Sequence, residues 1–241
     1  MDSIGFLCDP DHPLFRPVAG RLAARGFDVQ FHRPTDPPTP VDVDALAALV
    51  TGVVHPTAFA ALRYADRVGV ETWNGFTAMA TLSARLVTLN ALESVGCRVP
   101  DVRFDGSHDG YEGGYRYVWD GPTAIDEPAP FYVERVGSGA VDYRYYAVDD
   151  GRETHIRALE LRAAPSDEAP VLQRTDVDVE LAASVRELLD RLAARAVAVD
   201  FTHSASEEFY AVRATPTPTF TGAGMDRRVA DSIASLTTIG A

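Results

Sequence analysis

The chain has 241 residues, enough for one large domain or two small ones, and 46% of them are apolar, as in a globular protein with a proper core. Its 35 acidic residues face 22 basic ones, all of them arginine, for a net charge of −13. This balance argues against nucleic-acid or anionic-membrane partners, which need a basic face, and the absence of lysine rules out Schiff-base chemistry and a phosphate-loop lysine. No apolar run approaches a membrane span and no charged-then-apolar leader opens the chain, so a soluble cytoplasmic protein is expected; its acidic, lysine-free surface suits a salt-loaded, halophile-like cytoplasm. Cys8 and Cys97 lack metal-binding spacing and read as small apolar residues.

In chain order, SIGFLC (Ser3 to Cys8) predicts a short strand, and Phe15 to about Ala24 an amphipathic helix ended by Gly26. FDVQFH alternates as a second strand, giving the opening of a parallel α/β unit. RPTDPPTP reads as a linker before further apolar segments and a helix from about Thr57 to Val68. GVETWNG reads as a strand end and turn at the edge of a first domain. One long helix is expected from Thr77 to Val95, closed by Gly96 and Pro100.

A Gly- and Asp-rich loop follows, then strands YRYVW, PFYVERV, VDYRYYAV and THIRALEL. The segment DVDVELAASVRELLDRLAARA is a helix, with Thr175 and Asp178 spaced for a capping box. Strands AVAVDF and EFYAVRA and a helix from about Asp226 complete the set. The order suggests two lobes, residues 1–75 and 76–241. The second ends its hairpin in RATPTPTF, a turn stiffened by Pro216 and Pro218.

Several strings, in order, resemble the RimK-like branch of the ATP-grasp superfamily. WNGFTAMATLSARLVTLNALESVGCRVPDV is similar to the family's Asn-containing turn and helix, with Arg85 where the family has a phosphate-binding lysine. In FYVERVGSGAVDYRYYAV the resemblance places Glu134 and the backbone of Arg135, Val136 and Gly137 at the adenine edge, and Asp142 at the ribose hydroxyls. A strand end does expose unpaired N–H and C=O groups, and a carboxylate accepts hydroxyl protons. Arg144 and Arg157, on consecutive strands, are candidates for lining a phosphate site or for surface ion pairs. The pair AVAVDF and R-x-T-P-T-P matches the family's metal-binding hairpin: Asp200 is retained, while Arg213 and Thr215 replace a Glu and an Asn.

The resemblance implies a small Rossmann-like pre-ATP-grasp domain followed by an abbreviated ATP-grasp domain, in the α/β class. It implies ATP as cofactor, a nucleotide and a small carboxylate as partners, and, for an active member, ATP-dependent carbon–nitrogen ligation. Magnesium is not expected to be well held, because an arginine that cannot deprotonate stands where a metal oxygen is needed. The alternative is a non-catalytic nucleotide- or anion-binding regulatory or scaffold protein, and phosphoryl transfer to a hydroxyl compound stays open on the same fold. Both lysines that hold phosphates in the family are missing, and the flap segment is compressed into Asp105 to Pro130, where Arg116 is a remnant candidate. Asp9, Asp11 and His12 are ligand-type residues after the first strand, in a turn whose Asp and Pro content needs no ligand.

Overall fold

The computed structural model describes residues 2–104, 115–117, 131–134, 136, 141–162, 169–204 and 206–238. Strands β1 (Ser3–Leu7), β2 (Asp28–His32), β3 (Ala48–Thr51) and β4 (Glu71–Trp73) pair in parallel in the order β2-β1-β3-β4. They are joined by α1 (Phe15–Ala23), α2 (Pro40–Asp44) and α3 (Pro56–Val68). A parallel sheet buries both faces, and the alternation of β1 separates two cores. Ile4 and Phe6 pack with Phe15, Val18 and Leu22 of α1, whereas Leu7 packs with Leu49, Leu62 and Met79. A Cβ on Gly5 would lie 2.5 Å from Leu46 Cδ1, so any larger residue there would force the Leu46 side chain to shift.

The proline-rich segment is more than a linker. Thr39 and Asp42 form a full capping box at the start of α2, with Pro40 beginning the helix.

The single helix expected from Thr77 to Val95 is two, α4 (Phe76–Ser83) and α5 (Arg85–Ser94), broken where Ala84 turns extended at φ −109°, ψ 116°. Alanine favours helix, so tertiary packing imposes the break. Met79 is held in the first lobe's core, Leu82 against the large antiparallel sheet and Leu89 against a small one, and one straight helix does not present all three faces.

The small sheet holds β5 (Val102–Arg103), β6 (Tyr115–Tyr117) and β7 (Tyr132–Glu134) in the order β5-β7-β6. The large one holds β8 (Val141–Asp149), β9 (Thr154–Arg162), β10 (Val171–Thr175), β11 (Ala196–His203) and β12 (Phe209–Thr215) in the order β10-β9-β8-β11-β12. One face is covered by α6 (Val179–Leu192), through Ala182, Val185, Leu188 and Leu189. The capping box expected from Thr175 and Asp178 does not form. Thr175 is committed to the β10–β9 ladder opposite Ala158, so Asp178 alone caps α6, accepting from the N–H groups of Glu180 and Leu181 at 2.9 and 3.0 Å.

The last helix, α7 (Asp226–Thr238), lies against α1, β3 and β4 of the parallel sheet and β8 of the large antiparallel sheet. Its Val229, Ala230, Ile233 and Leu236 share one core with Ile4 and Phe6 of β1, Tyr146 and Val148 of β8, and Ala198 of β11. Ion pairs Arg21–Asp226 and Arg25–Asp231, each at 2.6 Å, fasten α7 to α1. Among the described residues no helix is long and apolar enough to cross a membrane.

Candidate functional site

The turn after β12 is held by a residue far away in sequence. Asn74, directly after β4, is fully buried. Its Nδ2 donates to the carbonyls of Ala196 and Pro216 at 2.6 and 2.7 Å. Its Oδ1 accepts from the N–H groups of Arg195 and Ala196 at 2.6 and 2.9 Å. Both donors and both lone pairs of the amide are therefore used. Trp73 continues the link, donating Nε1 to Ser232 Oγ at 2.9 Å, and that hydroxyl donates to the Asp149 carbonyl at 2.5 Å. Above this anchor Pro216, Pro218 and Phe220 are buried, with the Phe220 ring 5.0 Å from that of Tyr146.

The turn and its hairpin border a row of charged side chains. Pairing register sets Arg174, Leu159, Arg144, Asp200 and Arg213 side by side across β10, β9, β8, β11 and β12. Directly paired residues share a face, so three guanidiniums and one carboxylate stand together on the side of the sheet that α7 covers further along. Arg144 grips Asp200 with its fork: Nε donates to Oδ1 at 2.6 Å and Nη2 to Oδ2 at 2.8 Å. The two side chains are 14% and 15% exposed. Burial by itself would lower the Arg144 pKa, but the bonds to Asp200 and Tyr146 outweigh it and raise it, so the guanidinium stays charged.

Asp142 is two residue pairs further along the same face, opposite Thr202, and the two side chains are hydrogen-bonded. Burial pushes the Asp142 carboxyl upward and the charge of Asp200 adds to the rise, against opposing contributions from Thr202 and Arg144. On β12 a bulge interrupts the pairing just after Asp200 and Arg213, and Thr215 Oγ1 accepts from the Thr217 N–H at 3.4 Å inside the turn. Arg174 reaches from β10 to the Gly222 carbonyl at 3.3 Å, and a Cβ on Gly224 would lie 2.7 Å from its Nη2.

Of the residues singled out in the sequence, Asp142, Arg144, Asp200 and Arg213 are neighbours on three adjacent strands. Arg85 and Glu134 belong to other elements. Arg85 begins α5, where its charge adds to the positive end of the helix dipole. Glu134 ties β7 to β5: its N–H donates to the Asp101 carbonyl at 2.8 Å and its Oε2 accepts the Asp101 N–H at 3.1 Å. Val136 is partly buried, Arg116 lies on β6, and Arg135 and Gly137 fall outside the described residues. Arg157 is exposed on β9, in register with Tyr146. After β1, Asp9 and His12 close a local turn, Asp9 accepting the Asp11 N–H and His12 Nδ1 facing the N–H groups of Leu14 and Phe15.

Sequence reasoning missed Arg174, Thr202 and the binding role of Asn74. Register across strands distant in sequence joins the first two to the site, and local sequence carries no such signal. As arranged, these residues do not fit magnesium. The ion demands near-octahedral oxygen ligands. Each Asp200 oxygen already accepts a bond from Arg144, and Arg213 stands in register on the other side. Among the described residues no group of three or more His, Cys, Asp or Glu is placed to hold a metal.

No family model matches the sequence, and the search of curated proteins gives no match. Solved structures do share the fold. A RiPP-associated ATP-grasp ligase from Chryseobacterium gregarium, in complex with ADP and a leader and core peptide, has a TM-score of 0.72 at 13% identity, covering 100% of this chain and 98% of that one. The macrocyclase MdnC of Microcystis aeruginosa, bound with precursor peptide MdnA, has a TM-score of 0.69 at 11% identity, covering 97% and 99%. N5-carboxyaminoimidazole synthetase of Staphylococcus aureus has a TM-score of 0.70 at 10% identity, covering 98% of this chain and 77% of that one. Likeness at these identities establishes the mixed α/β fold of ATP-grasp ligases.

Proposed function

We propose that this chain binds ATP as a RimK-like ATP-grasp protein of the carboxylate–amine ligase class, with lobes divided at residues 75 and 76. The observation that carries this reading is the cluster of Arg144, Asp142, Asp200 and Arg213 on β8, β11 and β12, a charged patch beside the apolar core that α7 shares with these strands. Arginine forks match phosphate oxygens, and a half-buried carboxylate suits vicinal hydroxyls. In this reading Arg85 and Arg144 hold phosphates, Asp142 accepts the ribose hydroxyl protons, and backbone groups around Val136, with Glu134 beside them, receive the adenine edge. Asp200 marks the position of any metal.

The reaction of the class is a transfer of the γ-phosphoryl group to a carboxylate oxygen, releasing ADP. An amine nitrogen then attacks the acyl carbon, the C–N bond forms, and inorganic phosphate leaves. That first step depends on neutralising developing phosphate charge, ordinarily with metal ions. The Arg144–Asp200 pair favours a second reading, nucleotide binding without turnover, in a regulatory or scaffold role.

Thermal unfolding in high-salt buffer with ATP, ADP or AMP tests the common core of both readings, and ADP release with a panel of small carboxylates and amines separates them. Stabilisation by ATP is expected. Absence of stabilisation by any nucleotide refutes both readings, and carboxylate-dependent ADP release establishes the ligase.

A further inference from the structure

We infer that Arg144 acts as a built-in counter-cation in place of a divalent ion, so that the site takes a nucleoside polyphosphate in its metal-free form. The inference rests on the nucleotide-binding reading above and adds the ionic form of the ligand. Magnesium then weakens binding instead of promoting it.

The geometry of Asp200 is the first ground. Each oxygen already accepts a short, charge-assisted bond from one planar fork, so a metal has only the one remaining lone pair of each oxygen to bind. A dication bound there would stand beside the Arg144 guanidinium, 14% exposed, with Arg213 in register on the other side of Asp200. Arginine cannot relieve the conflict by losing a proton.

The second ground is the charge of the row. A magnesium site presents several oxygens of net negative charge. Here the register brings Arg213 to one side of Asp200 and Arg144 to the other, with Arg174 two strands beyond. Three guanidiniums stand against two carboxylates, Asp200 and the neighbouring Asp142, so the cluster favours a polyphosphate over a cation. The fork leaves Arg144 with N–H groups beyond those engaged by Asp200, one of them shared with Tyr146. The bond to Asp200 holds the guanidinium still, which lowers the ordering cost of accepting a phosphate oxygen. Magnesium bound to the nucleotide occupies the same phosphate oxygens and cancels the charge that the row would attract.

The test is calorimetric titration of the full chain with ATP at fixed ionic strength, first with chelator and then with increasing magnesium chloride. Metal-free ATP is expected to bind about tenfold or more tightly than the magnesium complex, a gap of about 1.4 kcal/mol or more. Arg144→Gln should abolish the preference for metal-free ATP, and Arg144→Lys, which keeps the charge but not the fork, should retain part of it. Equal or tighter binding in magnesium by the unaltered protein overturns the inference and leaves the nucleotide reading standing. Absence of ATP binding in both buffers overturns that reading and the inference with it. The unaltered protein decides the matter even where a variant fails to fold.

Discussion

Two polar constellations in this molecule join β-strands and turns distant in sequence, and they are built on opposite principles. Asn74 is neutral, has no exposed surface and has every hydrogen-bonding position filled by backbone. Arg144 and Asp200 form an ion pair, keep about a seventh of their side-chain surface exposed, and stand beside the further charges of Asp142 and Arg213. The first is a closed bond that leaves nothing over for a ligand. The second holds its geometry while keeping capacity on its open side, as a binding site must. Both lie under one short turn, Thr215 to Phe220, so a single hairpin end carries the joint and borders the candidate site.

Breaking the closed bond should cost most. Asn74→Leu leaves the carbonyls of Ala196 and Pro216 and the N–H groups of Arg195 and Ala196 without their side-chain partner, an expected loss of about 3–5 kcal/mol. Chemical denaturation measures it, and a loss below about 1 kcal/mol would show the pin to be dispensable.

The open pair should respond differently to single and double substitution. Arg144→Met or Asp200→Leu alone strands a mostly buried charge, at about 2–4 kcal/mol, whereas the double substitution should recover most of that loss. Additive losses in the double-mutant cycle would mean that the two side chains act independently.

Arg213→Glu together with Thr215→Asn should make added magnesium increase the stabilisation by nucleotide, seen as a rise in unfolding midpoint of a few degrees on adding the ion. No response would place the barrier at Arg144 alone.

The smallest effect should be at Asp142. Its folded pKa is raised above the unfolded value of 3.8, so its protonated form is favoured by the fold, and stability is lost as pH climbs through the folded pKa. Asp142→Asn should therefore raise the unfolding midpoint slightly at pH 7, with the gain gone at pH 3. A lowered midpoint at pH 7 would show that the carboxylate form is the one the fold prefers.

The parallel sheet was legible because β1 is a short apolar run, β2 alternates, and the α1 and α3 faces repeat at helical spacing. β10 was not legible, since Val171–Thr175 is an exposed edge strand whose residues carry no burial signal. The break at Ala84 was hidden for a related reason: nothing local opposes helix there, and the demand comes from three separate cores. At the site, Asp200, Arg213 and Thr215 were readable as a hairpin and its turn. That Arg144 seizes Asp200 was not, because the pair spans 56 residues and exists only in the β8–β11 register. Thr175 and Asp178 both carry capping oxygens, and only the sheet ladder decides between them.

The placement of α7 has a consequence for biogenesis. The ribosome releases the first lobe long before residues 226–238 exist, yet Val229, Ile233 and Leu236 complete the core around Ile4, Phe6 and Trp73. Until then that lobe exposes an apolar face, and vectorial folding stops one helix short. Nascent chains stalled before α7 should therefore engage chaperones, and the parallel sheet, made before the antiparallel one, is among the last parts to become native.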